Sequence, residues 1–194
     1  MQTRSAQQFI GRYCVIARMD GHSEIRRLED GEDVFEAARE IIGCTCLDHV
    51  RVQRLAPDVA IEFLVNEDGY SQWGDDSSKV NPIGTFIYNK DLKSPHYILG
   101  DLIFCLDVEG EEGGEFSGMC EAMATKIALM NNSKLLPKVR ELIKIPETLP
   151  SPEVKISAYA TPADLLKAMR GDKSVKPISE KVISVSKRDE EASS

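Results

Sequence analysis

The sequence predicts an α+β fold: a small, mainly antiparallel sheet with helices packed on one face, then a C-terminal helical appendage and a disordered tail. Three observations lead there. Short β-branched or apolar runs separated by turn pairs such as Asp20-Gly21 and Asp68-Gly69 mark strands. Segments with apolar residues at helical spacing lie between and after them. Pro146, Pro150 and Pro152 then interrupt the chain, each removing a backbone donor and disfavouring helix at the residue before it. The expected organisation is a core domain over 1–145, a Pro-rich linker with a short helical appendage over 146–171, and a disordered tail over 172–194.

The first strand is expected over 13–18, where Val15 and Ile16 are β-branched, with its hairpin partner over 23–28 across Asp20-Gly21. Residues 32–42 place Val34, Phe35, Ala38, Ile41 and Ile42 on one helical face, with Asp30 or Gly31 before and Gly43 after. Glu32 and Asp33 fall in the expected first turn, at the positive end of the helix dipole. Residues 46–55 alternate Val50 and Val52 with Arg51, Gln53 and Arg54, as a half-exposed strand does. After the break at Ala56-Pro57-Asp58, residues 59–65 are continuously apolar enough for a buried strand.

Asn66-Glu67-Asp68-Gly69 is expected to turn there, with Asp68-Gly69 supplying positive φ, and to lead into a polar loop over 70–79 that holds the one tryptophan, Trp73. Residues 81–88 fit a short helix capped by Asn81 with Pro82 in the first position, a strand being the competing reading. Residues 97–99 and Gly100-Asp101 lead into a strand over 102–106, followed by an acidic loop over 107–115. Helices are then expected over 116–130 and, with Pro137 inside it, over 134–143. Beyond the prolines, 154–159 suits a short strand, and Thr161-Pro162-Ala163-Asp164 opens a helix ending near Gly171. The tail carries five acids, five bases and no aromatic residue, which predicts disorder.

With 24 Lys plus Arg against 32 Asp plus Glu, the 194-residue chain has a net charge of −8, which argues against direct nucleic-acid binding. No apolar run approaches a membrane span of roughly 18 residues, and the first residues lack a signal peptide's apolar stretch, so no membrane association and a cytoplasmic location are expected. The charge is unevenly spread. Residues 55–78 hold six acids (Asp58, Glu62, Glu67, Asp68, Asp75, Asp76) and no base; residues 101–115 hold six more and no base, leaving +4 for the rest. If the strands around Asn66 and Asp101 are neighbours, the two runs share one end of the molecule. Asp75, Asp76, Glu111 and Glu112 would then face a basic partner.

Five cysteines, Cys14, Cys44, Cys46, Cys105 and Cys120, form an odd set, which predicts reduced thiols. Cys44, Cys46 and His49 are close in sequence, but a structural zinc site needs about four ligands, and no second Cys/His pair has suitable spacing. No metal or cofactor is expected. Catalytic motifs are absent: the sequence has no Gly-x-Ser-x-Gly, phosphate loop or His-Glu-x-x-His, and His22, His49 and His96 are scattered. Cys46 with His49 is the sole local nucleophile–base pair. The expectation is a protein without catalytic residues, a thiol-dependent enzyme being the alternative. Polar residues converging at strand ends are a common setting for ligands. Asn66, Glu67, Asp68, Asn81 and Asp101 are therefore candidate ligand-binding residues, with Tyr70 and Trp73 available to stack.

Over about residues 13–130, the ordered set Ile41-Ile42-Gly43, Leu64-Val65-Asn66-Glu67-Asp68-Gly69, Asn81, Ile98-Leu99-Gly100-Asp101 and Phe116 resembles the domain of unknown function 3846 family of phage, plasmid and integrative elements. Cys44 and Val80 depart from that family's usual Gly and Pro. The resemblance implies no activity. It implies a mobile-element setting, and hence a non-enzymatic binding protein countering a host defence or regulatory factor, by protein contact or by sequestering a small nucleotide-like ligand. The alternative is an acidic DNA mimic. Sequence leaves the oligomeric state open.

Overall fold

Asp20-Gly21 reverses the chain between β1 (Ile10–Ala17) and β2 (Ser23–Arg27), Gly21 taking the left-handed φ of 87° that the turn requires. These coordinates come from a computed structural model, which describes residues 6–89, 95–110, 113–131, 136–149, 153–158, 161, 176–177 and 179–184. Helix α1 (Val34–Ile42) begins two residues after the expected start, because Asp33 is its cap and accepts from the Phe35 and Glu36 amides at 2.8 and 2.9 Å. Glu32, left outside the helix, pairs with Arg26 at 2.5 Å. Gly43 ends the helix in the left-handed conformation.

Strands β3 (Leu47–Ala56) and β4 (Val59–Asn66) form a hairpin about Pro57-Asp58. Two elements then replace the expected turn and loop. Gly69 has no positive φ and opens α2 (Gly69–Trp73), and a turn of 3-10 helix follows at Ser77–Lys79, where Asp76 accepts from the Ser78 amide. The polar composition of 70–79 concealed both. Helix α3 (Pro82–Tyr88) forms as expected, with Asn81 as cap and Pro82 in the first turn.

Strand β5 (Leu102–Gly110) continues through what looked like an acidic loop and pairs with β6 (Gly113–Ser117). The acids extend the strand because they have partners: Asp107 bonds Arg51 at 2.6 Å and Glu109 bonds Arg54 at 2.9 Å. Phe116 therefore lies in β6, stacked on Phe35 of α1 at 5.9 Å, and the next helix, α4 (Glu121–Asn131), starts five residues after it. Helix α5 (Leu136–Ile143) keeps Pro137 in its first turn, where a missing amide costs nothing.

The strand order is β2-β1-β5-β4-β3, with β6 also on β5 and every pairing antiparallel. The α+β class and the antiparallel sheet are as predicted, but the helices occupy both faces. Val15, Ala17, Ile61, Phe63, Val65, Leu102 and Phe104 pack with Ile83 of α3 and with Ala124 and Ala128 of α4. On the other face, Cys14, Ile16, Leu64, Ile103 and Cys105 pack under Val34, Ala37 and Ala38 of α1. Every residue of β4 is buried, so covering one face could not have sufficed. A third cluster joins Val80, Tyr97, Leu99, Ile143 and Leu149.

The chain divides into two units, Met1–Leu149 and Pro150–Ser194. In the second, β7 (Glu153–Ala158) pairs antiparallel with β8 (Ser179–Ser184), Val154 opposite Ile183 and Lys155 opposite Val182. Part of the tail expected to be disordered is thus a strand: the β-branched pair Val182-Ile183 supplies strand propensity that the balanced charge concealed. The helix expected after Thr161 lies outside the described residues. Among the described residues, no helix is long and apolar enough to cross a membrane.

Candidate functional site

Because β4 and β5 run antiparallel with Val65 opposite Leu102, Asn66 and Asp101 do emerge at the same end of the sheet. Four of the seven candidate ligand residues serve the fold there. Asn81 is fully buried, and its amide group donates to the Ala17 and Gly100 carbonyls at 2.8 and 3.1 Å while its oxygen accepts from the Gly84 amide at 3.0 Å. Asp101 accepts from Arg18 at 2.8 Å and from the Met19 amide at 3.0 Å, pinning the β1–β2 turn to β5. Trp73 lies against Gly100, where a Cβ would sit 2.5 Å from the indole, and packs in the third cluster. Asn66 bonds Gln72 at 2.6 Å and accepts from the Asp68 amide at 2.9 Å, holding the start of α2.

Asn66, Glu67 and Tyr70 nevertheless line a small concavity, together with Asp48 of β3, Tyr88 of α3 and His96. His96 has two tyrosine neighbours: its ring centroid is 5.6 Å from Tyr70 at 53° and 5.3 Å from Tyr88 at 46°. The histidine is fixed by its backbone, which exchanges two hydrogen bonds with the Asn89 side chain at 2.7 and 2.8 Å. Burial lowers the His96 pKa, so the imidazole is neutral at pH 7. Burial raises the Tyr70 phenol, partly offset by a backbone hydrogen bond with Tyr97. Asp48 and Glu67 are exposed and have no ion-pair partner among the described residues. The site therefore combines neutral aromatic faces with unpaired negative charge. Its volume, about 80 Å³, falls well below the roughly 300–1,000 Å³ of ligand pockets and admits a side-chain head group rather than a nucleotide.

Asp68 faces a wider, open groove on the other side of Asn66, with Arg39, Glu40, Cys44, Thr45 and Gln72. That groove has no aromatic ring among its lining residues to stack on a base.

The two acidic runs lie antiparallel rather than gathering at one end: the Glu109 amide donates to the Asp58 carbonyl at 2.8 Å at one end of the β4–β5 pair, and Glu67 and Asp68 follow β4 at the Asp101 end. The pairing that brings Asn66 beside Asp101 sends Gly110 to the far end of β5, roughly 27 Å away at about 3.4 Å per residue. Glu111 and Glu112 lie outside the described residues. Asp75 and Asp76 are at the near end, where the Asp75 carbonyl accepts from the Leu149 amide at 3.0 Å. Arg18, Arg51 and Arg54 moreover neutralise Asp101, Asp107 and Glu109. Among the described residues of the second run, these three acids are therefore paired and do not stand as free negative charge.

The histidine of the thiol–histidine pair is engaged by a carboxylate. His49 Nδ1 is 2.6 Å from the fully buried Glu62, whose other oxygen accepts from Arg51 at 2.7 Å; Arg51 bridges on to Asp107. The exposed Cys46 instead takes a weak bond from the Thr45 hydroxyl. Among the described residues, no group of three or more His, Cys, Asp or Glu converges to hold a metal ion.

Sequence reasoning missed Asp48, Tyr88 and His96. They come from three segments joined by strand pairing and helix docking, and no local spacing announces them. In comparisons with known proteins, no family model, curated protein or solved structure matches this chain.

Proposed function

We propose that the chain is a non-enzymatic binding protein of a mobile element, acting in the host cytoplasm, whose concavity at the Asn66 end of the sheet engages a basic segment of a host protein. One observation carries the reading: the Tyr70–His96–Tyr88 ring cluster stands beside the carboxylates of Asp48 and Glu67, which have no ion-pair partner among the described residues, in a site of side-chain size. Aromatic faces and carboxylates both attract cations, and the long basic side chains bring an apolar stem that packs on rings. The small volume argues for protein contact over nucleotide sequestration. The setting rests on the resemblance to the mobile-element family.

Fluorescence anisotropy of labelled peptides against the full chain tests this. A Lys/Arg-rich peptide should bind, weaken with added salt, and lose about fivefold or more in affinity with Asp48→Asn and Glu67→Gln combined. An acidic peptide should not bind. Unchanged binding by the neutralised variant would overturn the assignment of the site. A nucleotide that raises the melting temperature would favour sequestration instead.

A further inference from the structure

We propose that this concavity is an aromatic cage for a methylated ammonium group, the head of a methylated lysine in the partner segment, formed by Tyr70, His96 and Tyr88 with Asp48 and Glu67 as its anionic complement. The proposal rests on the reading of the concavity as a contact for a basic segment. It goes further by naming the group received.

Ring geometry distinguishes the cationic side chains. A guanidinium is planar and stacks best on a parallel face or against a carboxylate fork. Here successive rings are inclined by 53° and 46°, so the wall turns from one plane into the next instead of offering a flat slot. A methylated ammonium is rounded and carries its positive charge on outward methyl groups, so it contacts several inclined ring faces at once. An unmodified ammonium is compact and strongly hydrated, and it would give up water for rings that cannot accept its three donors fully.

Charge and rigidity agree with this. At neutral pH His96 presents a π face rather than a competing cation, because its burial disfavours the charged form. Asp48 and Glu67 attract the cation without needing its N–H groups, which a trimethylated head lacks. The rings are held before any ligand arrives: Asn89 fixes His96 through two hydrogen bonds, and Tyr70 packs against the Tyr97–Leu99 cluster. Tyr88, 46% exposed, leaves the wall open to an entering side chain.

The test uses the full chain and one basic peptide in three forms, bearing at one position lysine, trimethyllysine, or the uncharged tert-butyl isostere of trimethyllysine. The trimethylated form should bind about fivefold or more tighter than either other form, and tetramethylammonium should compete with it. Tyr88→Ala should remove the preference for methylation, and Tyr88→Phe should retain it. Equal affinity for lysine and trimethyllysine would overturn the cage and leave the basic-segment reading standing. Failure of all three peptides to bind would remove both. Free choline binding as tightly as the peptide would overturn a protein-borne source.

Discussion

Replacing Asn81 by alanine should cost the fold far more than one polar side chain of this size usually does. The residue is fully buried, and its side chain satisfies two carbonyls and one amide on three separate segments: the end of β1, the Gly100 turn and the first turn of α3. Alanine leaves the Ala17 and Gly100 oxygens and the Gly84 amide without that partner. Each lost bond is worth about 1 kcal/mol net, and a buried group left unsatisfied costs about 1–3 kcal/mol. Because one small side chain serves all three, relaxation offsets part of the sum, and about 4 kcal/mol is expected. With a urea m-value of about 2 kcal/mol/M, the unfolding midpoint should fall by roughly 2 M, or the melting temperature by about 8–16 °C. Asn89→Ala is the control. That asparagine also bonds backbone, but at a half-buried site where water can substitute, so about 1 kcal/mol is expected. Asn81→Asp sharpens the test. Its carboxylate keeps the acceptor for Gly84 but aims a second acceptor at two carbonyl oxygens, so the ionised form is disfavoured in the folded state and the folded pKa is raised. Stability should therefore recover as pH falls and be lost as pH rises through that pKa. An Asn81→Ala midpoint within about 1 kcal/mol of wild type, or an Asn81→Asp variant indifferent to pH, would refute this account of how the three segments are held.

Glu62→Leu strands Arg51 and His49 beside an apolar side chain; since both partners are about half exposed, a loss of about 2–3 kcal/mol is expected. Adding His49→Leu, with the Arg51–Asp107 pair left intact, should restore part of it, and urea melts showing no recovery would contradict a pairing role. Gly100→Ala forces a Cβ to within 2.5 Å of the Trp73 ring at a φ of 88°, so a loss of about 2 kcal/mol or more and a changed Trp73 fluorescence spectrum are expected. Burial pushes the Cys14 thiol up to about 11 from 9.0, so the folded state binds its proton more tightly than the unfolded chain does. The stability this represents, at most about 3 kcal/mol, is present below pH 9 and lost as pH rises toward 11. Cys14→Ala should flatten that alkaline slope in urea melts, and an unaltered slope would refute the assignment.

Much of the fold was legible where a single residue's chemistry decides a boundary. Asp20-Gly21 can reverse a hairpin, Gly43 can end a helix, and Asn81-Pro82 can begin one, because cap, φ and missing donor all act within four residues. Errors arose where a partner from elsewhere decides. Asp107 and Glu109 look like loop residues until Arg51 and Arg54 of β3 are brought across from more than fifty residues away. The helix expected to begin at Phe116 starts later for the same reason: that ring is needed in β6, against Phe35. Local composition records what a segment tolerates, whereas pairing settles what it becomes.

The site follows from the same distinction. With α1 on one face of the sheet and α3 and α4 on the other, the sheet has little face left to offer, and the proposed site lies at one of its ends. At the hairpin end, Asp107 and Glu109 of the second acidic run are answered by arginines. At the other end, strand pairing and helix docking gather Tyr70, Tyr88 and His96, which are 18 and 8 residues apart along the chain, beside carboxylates that lack an ion-pair partner among the described residues. The sequence offered Tyr70, Asn66 and Glu67 by their nearness to a strand end, but it also offered Asn81, Asp101 and Trp73 on the same ground. Saturation cuts across both groups: Asn66, Asn81 and Asp101 spend their hydrogen bonds on Gln72, on backbone and on Arg18, and Trp73 spends its face on Gly100, which leaves Tyr70 and Glu67. Side chains whose bonding capacity is filled by the fold have none left for a partner, so the proposed binding reading rests on the groups the fold leaves unfilled.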